Sequence, residues 1–249
     1  MEVYLSGIGN KAADEIARLV KSNQWNGCYL ASYVYSKNLS VRKIMSCTPR
    51  LMLDSGAFTF LNSSKKEVDW NAYLREYADF INENDIKLFF ELDIDSLVGY
   101  DQVKEMRRQL EEITQKQCIP VWHKSRGKNE FLKLCSQYPY VALGGIAIGE
   151  IKRSEHRFFP WFIDEAHKRG AKIHGLGYTN TEGLHRYHFD SVDSSSWLSG
   201  IRYGNITYFD GRVMKNLTRP EGMRADKSKV ELYCLREWMK FQEYARLNL

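Results

Sequence analysis

Acidic side chains stand at the ends of three short apolar runs, at Asp54, Asp93 and Asp193. Burying several carboxylates together is costly unless each has a partner or a task. Two kinds of chemistry use such a set: glycosyl transfer by a nucleophile with a general acid–base, and binding of a divalent metal ion. The alternative is that Asp54 and Asp93 merely cap the helices or loops that follow them.

Glycines and histidines occupy the ends of further apolar runs. Gly144 and Gly145 remove side chains where a planar ligand could lie against backbone. His123 could donate a hydrogen bond to a ligand carbonyl or be an ordinary packed histidine. The sequence has no H-x-H, H-E-x-x-H or C-x-x-C spacing, so we expect no metal site and no cofactor.

The elements that must position these residues alternate between strand-like and helix-like patterns. Eight short, almost continuously apolar runs are typical of strands covered on both faces. They are Val3–Ser6, Cys28–Val34, Arg50–Leu53, Lys87–Leu92, Ile119–Trp122, Tyr140–Gly144, Ala171–His174 and Phe189–Val192. Helical periodicity fills the segments between them, as in Asp69–Asn84, with Asp69 as the expected N-cap.

Alternation of strand and helix predicts a parallel sheet, and eight strands in 249 residues predict an α/β fold of the (βα)8 (TIM) barrel type. An open doubly wound sheet is the alternative. Active sites of such barrels lie at the C-terminal ends of the strands, so the barrel would bring the three carboxylates to one mouth. A small hairpin is predicted over Ile206–Val213 and a closing helix over Lys229–Leu247. We expect a single domain over residues 1–249, with a C-terminal basic extension over about 201–249.

Most of the net charge of +5 comes from residues 201–230, which carry seven basic and three acidic groups. A localised basic stretch is typical of a phosphate-binding surface, although a solvated loop can have the same composition. Because they follow the eighth strand, Arg202, Arg212 and Lys215 are the residues we expect to contact phosphates.

No uninterrupted apolar run approaches the roughly 20 residues needed to span a bilayer. The N-terminus lacks the basic and then apolar pattern of a signal peptide. The five cysteines are odd in number and scattered, which is not the pattern of a disulfide framework. We therefore expect reduced cysteines in a cytoplasmic protein with no membrane partner; the sequence does not predict an oligomeric state.

Four motifs occur in the order found in tRNA-guanine transglycosylases, and the chain resembles that family from Leu51 to about Trp197. They are DSGAFT (54–59), GGIAIGE (144–150), HGLG (174–177) and FDSVD (189–193). The corresponding family patterns are DSGG(F/Y)Q, GGLAVGE, MGVG and a final D-x-x-D. The resemblance implies a (βα)8-barrel enzyme that exchanges a guanine in a polynucleotide for a 7-deazaguanine base.

The resemblance also implies roles for the carboxylates. Asp193 matches the nucleophile, which attacks the sugar C1′ and leaves a covalent glycosyl-enzyme. Asp54 matches the proton-transfer group, and Asp93 matches the residue that reads the guanine edge, with Asp95 as the fallback. The remaining base-binding residues would be Ser55, Phe58, His123, Gly144, Gly145 and His174.

The base pocket implied by the resemblance has two faces and a backbone wall. Phe58 would stack on one face of the base, and His174, in place of a family Met, would cover the other. Gly144 and Gly145 would supply backbone contacts, and the turn at Ser55 would orient the preceding carboxylate toward the base.

The chain departs from the tRNA enzymes in two places. Val121-Trp122-His123 stands where the family has a base-reading Gln in V-Q-G-G. The family's C-x-C-x-x-C plus His zinc site has no counterpart, since only Cys234 lies in that region. The chain thus resembles the shorter, often virus-encoded relatives that insert 7-deazaguanines such as 7-cyano-7-deazaguanine into DNA, and we expect DNA rather than tRNA as the nucleic-acid partner. The alternatives are a tRNA substrate, a metal-dependent barrel hydrolase and a nucleic-acid-binding barrel without catalysis.

Overall fold

Eight parallel strands form one sheet in the order β4-β3-β2-β1-β8-β7-β6-β5. The strands are β1 (Glu2–Ser6), β2 (Cys28–Ser32), β3 (Leu51–Asp54), β4 (Leu88–Phe89), β5 (Val121–Trp122), β6 (Tyr140–Leu143), β7 (Lys172–Gly175) and β8 (Ser191–Ser194). The first and last strands pair, with Tyr4 opposite Asp193. Phe90 bridges to Ile119 and closes the sheet between β4 and β5. The (βα)8 barrel predicted from the sequence is therefore confirmed, and the open sheet is excluded.

The computed structural model describes residues 1–48, 50–62, 68–218 and 226–249, without the side chains of Phe58, Leu61, Asn62, Ile201 and Thr218. Arg219 and Arg224 of the basic stretch lie outside the described residues. Within those ranges, no helix is both long enough and apolar enough to cross a membrane.

Helices cover the outside of the barrel. They are α1 (Asn10–Lys21), α2 (Leu39–Cys47), α3 (Trp70–Glu83), α4 (Asp95–Val98), α5 (Tyr100–Thr114), α6 (Gly127–Gln137), α7 (Phe159–Lys168), α8 (Thr181–Leu184), α9 (Ser199–Tyr203) and α10 (Lys227–Asn248). Helix α3 begins where the sequence predicts, because the side chain of Asp69 accepts hydrogen bonds from the amides of Asn71 and Ala72 at 3.0 Å. Such an N-cap satisfies two of the amides that a helix start leaves unpaired.

Apolar side chains fill both faces of the sheet, as the continuous apolar runs predict. Met52, Phe90, Val121 and Ala142 pack together as one buried cluster. A second, larger set fills the layer between the strands and the surrounding helices. Both faces of each strand are therefore covered.

The seam between β4 and β5 is held partly by a side chain. Ile119 N donates to the carbonyl of Phe89 at 2.8 Å, but Val121 N donates to the carboxylate of Glu91 at 2.8 Å. A buried carboxylate thus takes the place of a backbone acceptor in the ladder. This explains why β4 and β5 are shorter than the runs Lys87–Leu92 and Ile119–Trp122 that the sequence predicts.

The C-terminal elements agree with the sequence. Strands β9 (Asn205–Phe209) and β10 (Met214–Thr218) form an antiparallel hairpin, and Asp210 accepts hydrogen bonds from two amides of its turn. Helix α10 closes the barrel, where Gln242 Nε2 donates to the carbonyls of Val3 and Cys28 at 2.6 and 2.9 Å. The predicted hairpin and closing helix are both confirmed, with the hairpin extending to Thr218.

Strand β8 begins and ends two residues later than predicted. The sequence predicts Phe189–Val192, whereas the strand spans Ser191–Ser194. Asp190 lies just before it, where its carboxylate accepts from Ile173 N at 2.8 Å. Asp193 is consequently a residue of the strand itself rather than the one that follows it.

Candidate active site

The three carboxylates predicted from the sequence interact electrostatically at the C-terminal ends of the strands, which we call the mouth. Asp54 is the last residue of β3. Burial raises its pKa to about 6, and the negative charges of Asp193 and Asp93 add to the rise. Hydrogen bonds from Gly56 N, at 3.0 Å, and from Ser32 act in the opposite direction. Asp54 can therefore both hold and release a proton near neutral pH.

Asp193 is held through one of its two oxygens. Its Oδ1 accepts hydrogen bonds from Gly177 N at 2.5 Å and from His174 Nε2 at 3.3 Å. Gly177 has φ +71°, and a Cβ there would meet the Cβ of Ala147 at 2.7 Å. The turn after β7 therefore requires glycine to bring this amide to Asp193. Among the described residues Oδ2 has no hydrogen-bond partner, so it is the oxygen available to react.

His174 orients Asp193 through the hydrogen bond to its Oδ1. Its Nδ1 lies 2.5 Å from the Ser191 hydroxyl, which also contacts the Tyr140 hydroxyl. Its Nε2 carries the proton that is donated to Asp193, because an ionised carboxylate can only accept. The ring is fully buried, 5.4 Å from the ring of Phe90. The sequence led us to expect His174 on an open wall of a base pocket; instead it lies in the barrel interior, where a base cannot stack on it.

His123 lies between two carboxylates. Its Nε2 is 2.9 Å from Asp93 and its Nδ1 is 2.8 Å from Glu150. Burial lowers the pKa of His123, but the hydrogen bond and charge of Asp93 and the hydrogen bond of Glu150 outweigh burial and raise it to about 9. His123 is therefore a cation at neutral pH, and both of its N–H groups are used within the protein.

Arg126 is a residue that sequence reasoning missed. Its side chain is 1% exposed and contacts Glu91 at 3.2 Å, Asp93 at 3.5 Å and Asp95 at 3.0 Å. The guanidinium also lies 4.2 Å from the ring centroid of Tyr100. The sequence did contain one indication of such a residue, namely the three acids at alternate positions after β4. Three carboxylates that approach the interior together require a buried cation.

The two glycines after β6 make room for side chains of the protein. A Cβ on Gly144 would lie 2.9 Å from the ring of His123, and a Cβ on Gly145 would lie 2.6 Å from a carboxylate oxygen of Glu150. Gly144 N already donates to the carbonyl of Trp122 at 2.8 Å. The sequence predicts that these glycines admit a base; what they admit in the folded chain is the histidine–glutamate pair.

The turn after β3 positions Asp54, and the residue that follows Asp54 forms hydrogen bonds that hold this turn. Ser55 is buried, its hydroxyl accepts from Ala57 N at 3.4 Å, and its carbonyl accepts from the Tyr73 hydroxyl. Ser55 therefore supports the turn. The stacking residue expected at Phe58 has a side chain outside those that the structure describes, so that expectation stays a prediction.

Two of the three predicted phosphate-binding residues lie toward the mouth side of the C-terminal extension. Arg202 is exposed in α9, directly after β8, and its guanidinium is 3.5 Å from the Ser195 hydroxyl. Lys215 pairs with Glu182 at 3.1 Å. Arg202 therefore has the more suitable position for a phosphate, because Lys215 already has an acidic partner.

The side chain of Arg212 is exposed to solvent. The residue is in the turn of the hairpin, where its carbonyl accepts from His185 Nε2 at 3.0 Å and the His185 ring packs 5.8 Å from Tyr244. Tyr244 belongs to the last turns of α10, which contact Met1 through the carbonyl of Ala245. Arg212 thus packs beside α10 through its backbone, and its predicted contact with phosphate stays a prediction.

The residues that could bind a metal ion are few. Within the described ranges, no three His, Cys, Asp or Glu side chains are arranged as ligands of a metal ion. Cys234, the one cysteine of the C-terminal region, is buried and accepts a contact from Thr207 N at 3.4 Å. Asp93 instead has Arg126 and His123 as cationic partners.

Comparisons with known proteins agree with the fold. No protein-family model and no curated protein sequence matches the chain. The chain is similar to a solved structure from Coccidioides immitis assigned as a fructose-1,6-biphosphate aldolase, with a TM-score of 0.57 and 6% identity over 98% of this chain and 87% of that chain. It is also similar to the carboxyl transferase domain of Rhizobium etli pyruvate carboxylase, with a TM-score of 0.48 and 14% identity over 98% of this chain and 47% of that one. At such identities the first likeness shows a shared barrel fold and carries nothing about the reaction.

Proposed function

We propose that this protein is an enzyme that replaces guanine in a polynucleotide, DNA in preference to tRNA, with a 7-deazaguanine such as 7-cyano-7-deazaguanine. One observation carries the proposal: two carboxylates at one mouth differ in the way that the reaction requires. Asp193 offers a free oxygen and has hydrogen bonds on the other, whereas Asp54 has a pKa of about 6. The four motifs that resemble those of guanine transglycosylases support the same assignment.

Asp193 is the proposed nucleophile. Its Oδ2 attacks C1′ of the target nucleotide, forming a C–O bond as the C1′–N9 bond breaks and its electron pair leaves with guanine. The transition state resembles an oxocarbenium ion, which a nearby negative charge stabilises. Hydrogen bonds from Gly177 N and His174 to Oδ1 fix the direction of the second oxygen.

Asp54 is the proposed proton donor and acceptor. Guanine leaves poorly as an anion, so a protonated carboxyl near its ring lowers the barrier to departure. The incoming 7-deazaguanine then loses its N9 proton to ionised Asp54, its nitrogen attacks C1′, and Asp193 is released. A pKa of about 6 suits both directions of this transfer.

Asp93 is the proposed reader of the guanine edge, through the N1–H and the exocyclic amine. Both of its oxygens contact His123 Nε2, at 3.0 and 2.9 Å, and its side chain is 17% exposed. A bound guanine would therefore share Asp93 with the histidine. The target base must be flipped or single-stranded, because a stacked and paired base cannot reach the interior of a barrel mouth.

The test is incorporation of radiolabelled guanine into duplex DNA, single-stranded DNA and tRNA in parallel, with a denaturing gel to detect a covalent adduct. Wild type should label DNA and form an adduct that mass spectrometry maps to Asp193. Asp193→Asn should bind nucleic acid and form no adduct, and Asp54→Asn should slow both half-reactions. The matched control is Asp190→Asn, a carboxylate of the same segment whose partners, Ile173 N and His167, lie at the other end of the barrel.

Several outcomes would reject parts of the proposal. An adduct that persists in Asp193→Asn, or that maps to Asp54, would reverse the two roles. Labelling of tRNA alone would show that the substrate is tRNA rather than DNA. We expect exchange to persist in EDTA, because a carboxylate nucleophile needs no metal ion; activity that is lost in EDTA and restored by zinc or magnesium would instead favour the metal-dependent hydrolase.

A further inference from the structure

An aromatic cavity of about 350 Å³ opens beside the mouth, between the N-terminal ends of α6 and α7. We call it the aromatic basin. Its principal walls are Trp122, Phe158, Trp161 and Phe162, with Lys124 and Lys128 at its edge. A volume of this order lies within the range of small-ligand sites.

The aromatic basin adjoins the candidate site through consecutive residues. Trp122 is the last residue of β5, and the next residue is His123, which contacts Asp93. The Trp122 and Phe162 rings lie 4.9 Å apart, whereas Phe158 is 49% exposed. The basin therefore has a fixed floor and an aromatic side chain that solvent can still reach.

The rim of the aromatic basin is basic. Lys128 Nζ lies 4.4 Å from the ring centroid of Trp161. The short helix that ends at Phe158 carries two exposed arginines, Arg153 and Arg157, and a third exposed cation, Lys152, precedes it. Its one acid, Glu155, is paired with Lys124. The cations of this rim exceed its acids, so it attracts anions.

We propose that the aromatic basin binds a nucleotide that neighbours the exchanged guanine, with its base among the aromatic rings and its phosphate near Lys128. This inference rests on the proposed function and deepens it, because it says where the unpaired nucleic-acid strand lies on the protein surface. Aromatic rings stack on any base, and a basic rim follows a backbone of phosphates. Flipping the target guanine unstacks its neighbours, and the basin offsets part of that loss.

The charge of the rim favours a nucleic-acid strand over a second copy of this chain or an apolar peptide as the ligand of the aromatic basin. A second copy of this chain would bring a net charge of +5 toward a basic rim. An apolar peptide would leave the cations without partners. A single strand of nucleic acid matches both the aromatic walls and the sign of the rim.

The test measures binding of a fluorescent oligothymidine without guanine, so that no base exchange is needed. Phe158→Ala should weaken binding about 10-fold, since stacking contributes about 1–3 kcal/mol per base. Tyr233→Ala is its control, because Tyr233 is similarly exposed, at 46%, on α10. Lys128→Gln should reduce the salt slope of binding by about 0.7, whereas Lys133→Gln, exposed further along α6, should leave it unchanged.

The possible failures are distinguishable. If wild type binds neither oligothymidine nor a guanine-containing strand, the proposed function fails together with this inference. If wild type binds but Phe158→Ala and Lys128→Gln behave like their controls, only the aromatic basin is rejected. Concentration-dependent dimerisation that Phe158→Ala abolishes, measured by sedimentation, would overturn the inference in favour of a second copy.

Discussion

The Nε2 atom of His123 lies 3.0 Å from Oδ1 and 2.9 Å from Oδ2 of Asp93. This contact fixes a carboxylate of the mouth before any ligand binds. With Glu150 on the second ring nitrogen, the imidazole must carry both protons, since a carboxylate can only accept. The mouth is therefore a preorganised set of alternating charges, which gives its residues measurable effects on stability as well as on activity.

The first prediction concerns His123 and pH. Its pKa in the folded protein is about 9, above the usual value near 6.5. Its contribution to stability is therefore complete below about pH 6.5 and is lost as pH rises through about 9, by up to about 3 kcal/mol. His123→Gln should lack this loss, which urea unfolding at pH 6, 7.5 and 9 measures. His167→Gln, whose ring pairs with Asp190 but is 46% exposed, should keep the wild-type slope; parallel curves for wild type and His123→Gln would contradict the prediction.

The second prediction concerns the buried cation. Arg126→Met removes the cation that Glu91, Asp93 and Asp95 share; Glu91 keeps Arg107 at 2.6 Å and Asp93 keeps His123. The substitution should lower the free energy of unfolding by about 3 kcal/mol. Arg108→Met removes the exposed pairs of α5 and should cost less than about 1 kcal/mol. Denaturant titration compares the two. Equal losses would show that Arg126 is not the residue that stabilises these acids.

The third prediction concerns Ser32 and Asp54. The Ser32 hydrogen bond lowers the pKa of Asp54 against the effect of burial, so Ser32→Ala should raise that pKa above about 6. If protonated Asp54 assists guanine departure, single-turnover adduct formation falls as pH rises through this value, and the variant should move the fall to higher pH. Ser46→Ala, an exposed serine of α2, is the control. A shift toward lower pH, or none, would exclude Asp54 as the acid.

The fourth prediction concerns Gly144. A Cβ there would lie 2.7 Å from Val121 Cγ1 and 2.9 Å from the His123 ring, so Gly144→Ala should destabilise the fold by about 1–3 kcal/mol. Displacement of His123 should also weaken the pH dependence of stability described above. Gly9→Ala, whose Cβ would have its nearest neighbour at 3.8 Å, should change stability by less than about 1 kcal/mol. Melting curves with no difference between the two variants would argue against close packing at Gly144.

The sequence by itself predicted the barrel, because strand runs and helical periods are local patterns. Covered strands are apolar on both faces wherever they occur, and their alternation with helices leaves few topologies. Asp54 and Asp193 could be singled out for the same reason: each closes or lies within such a run, and the C-terminal ends of parallel strands share one edge.

Only the tertiary structure decided which side chains meet. Nothing in the sequence around Arg126 marks it as the partner of acids that precede it by more than 30 residues. His174 could not be recognised as buried, since its exposure depends on packing between β6 and β8. The backbone contact of Arg212 with His185 and the packing of that ring on Tyr244 also join segments far apart in the sequence. The physical reason is the same in each case: local propensity sets the elements, whereas long-range packing and the pairing of buried charges set the contacts.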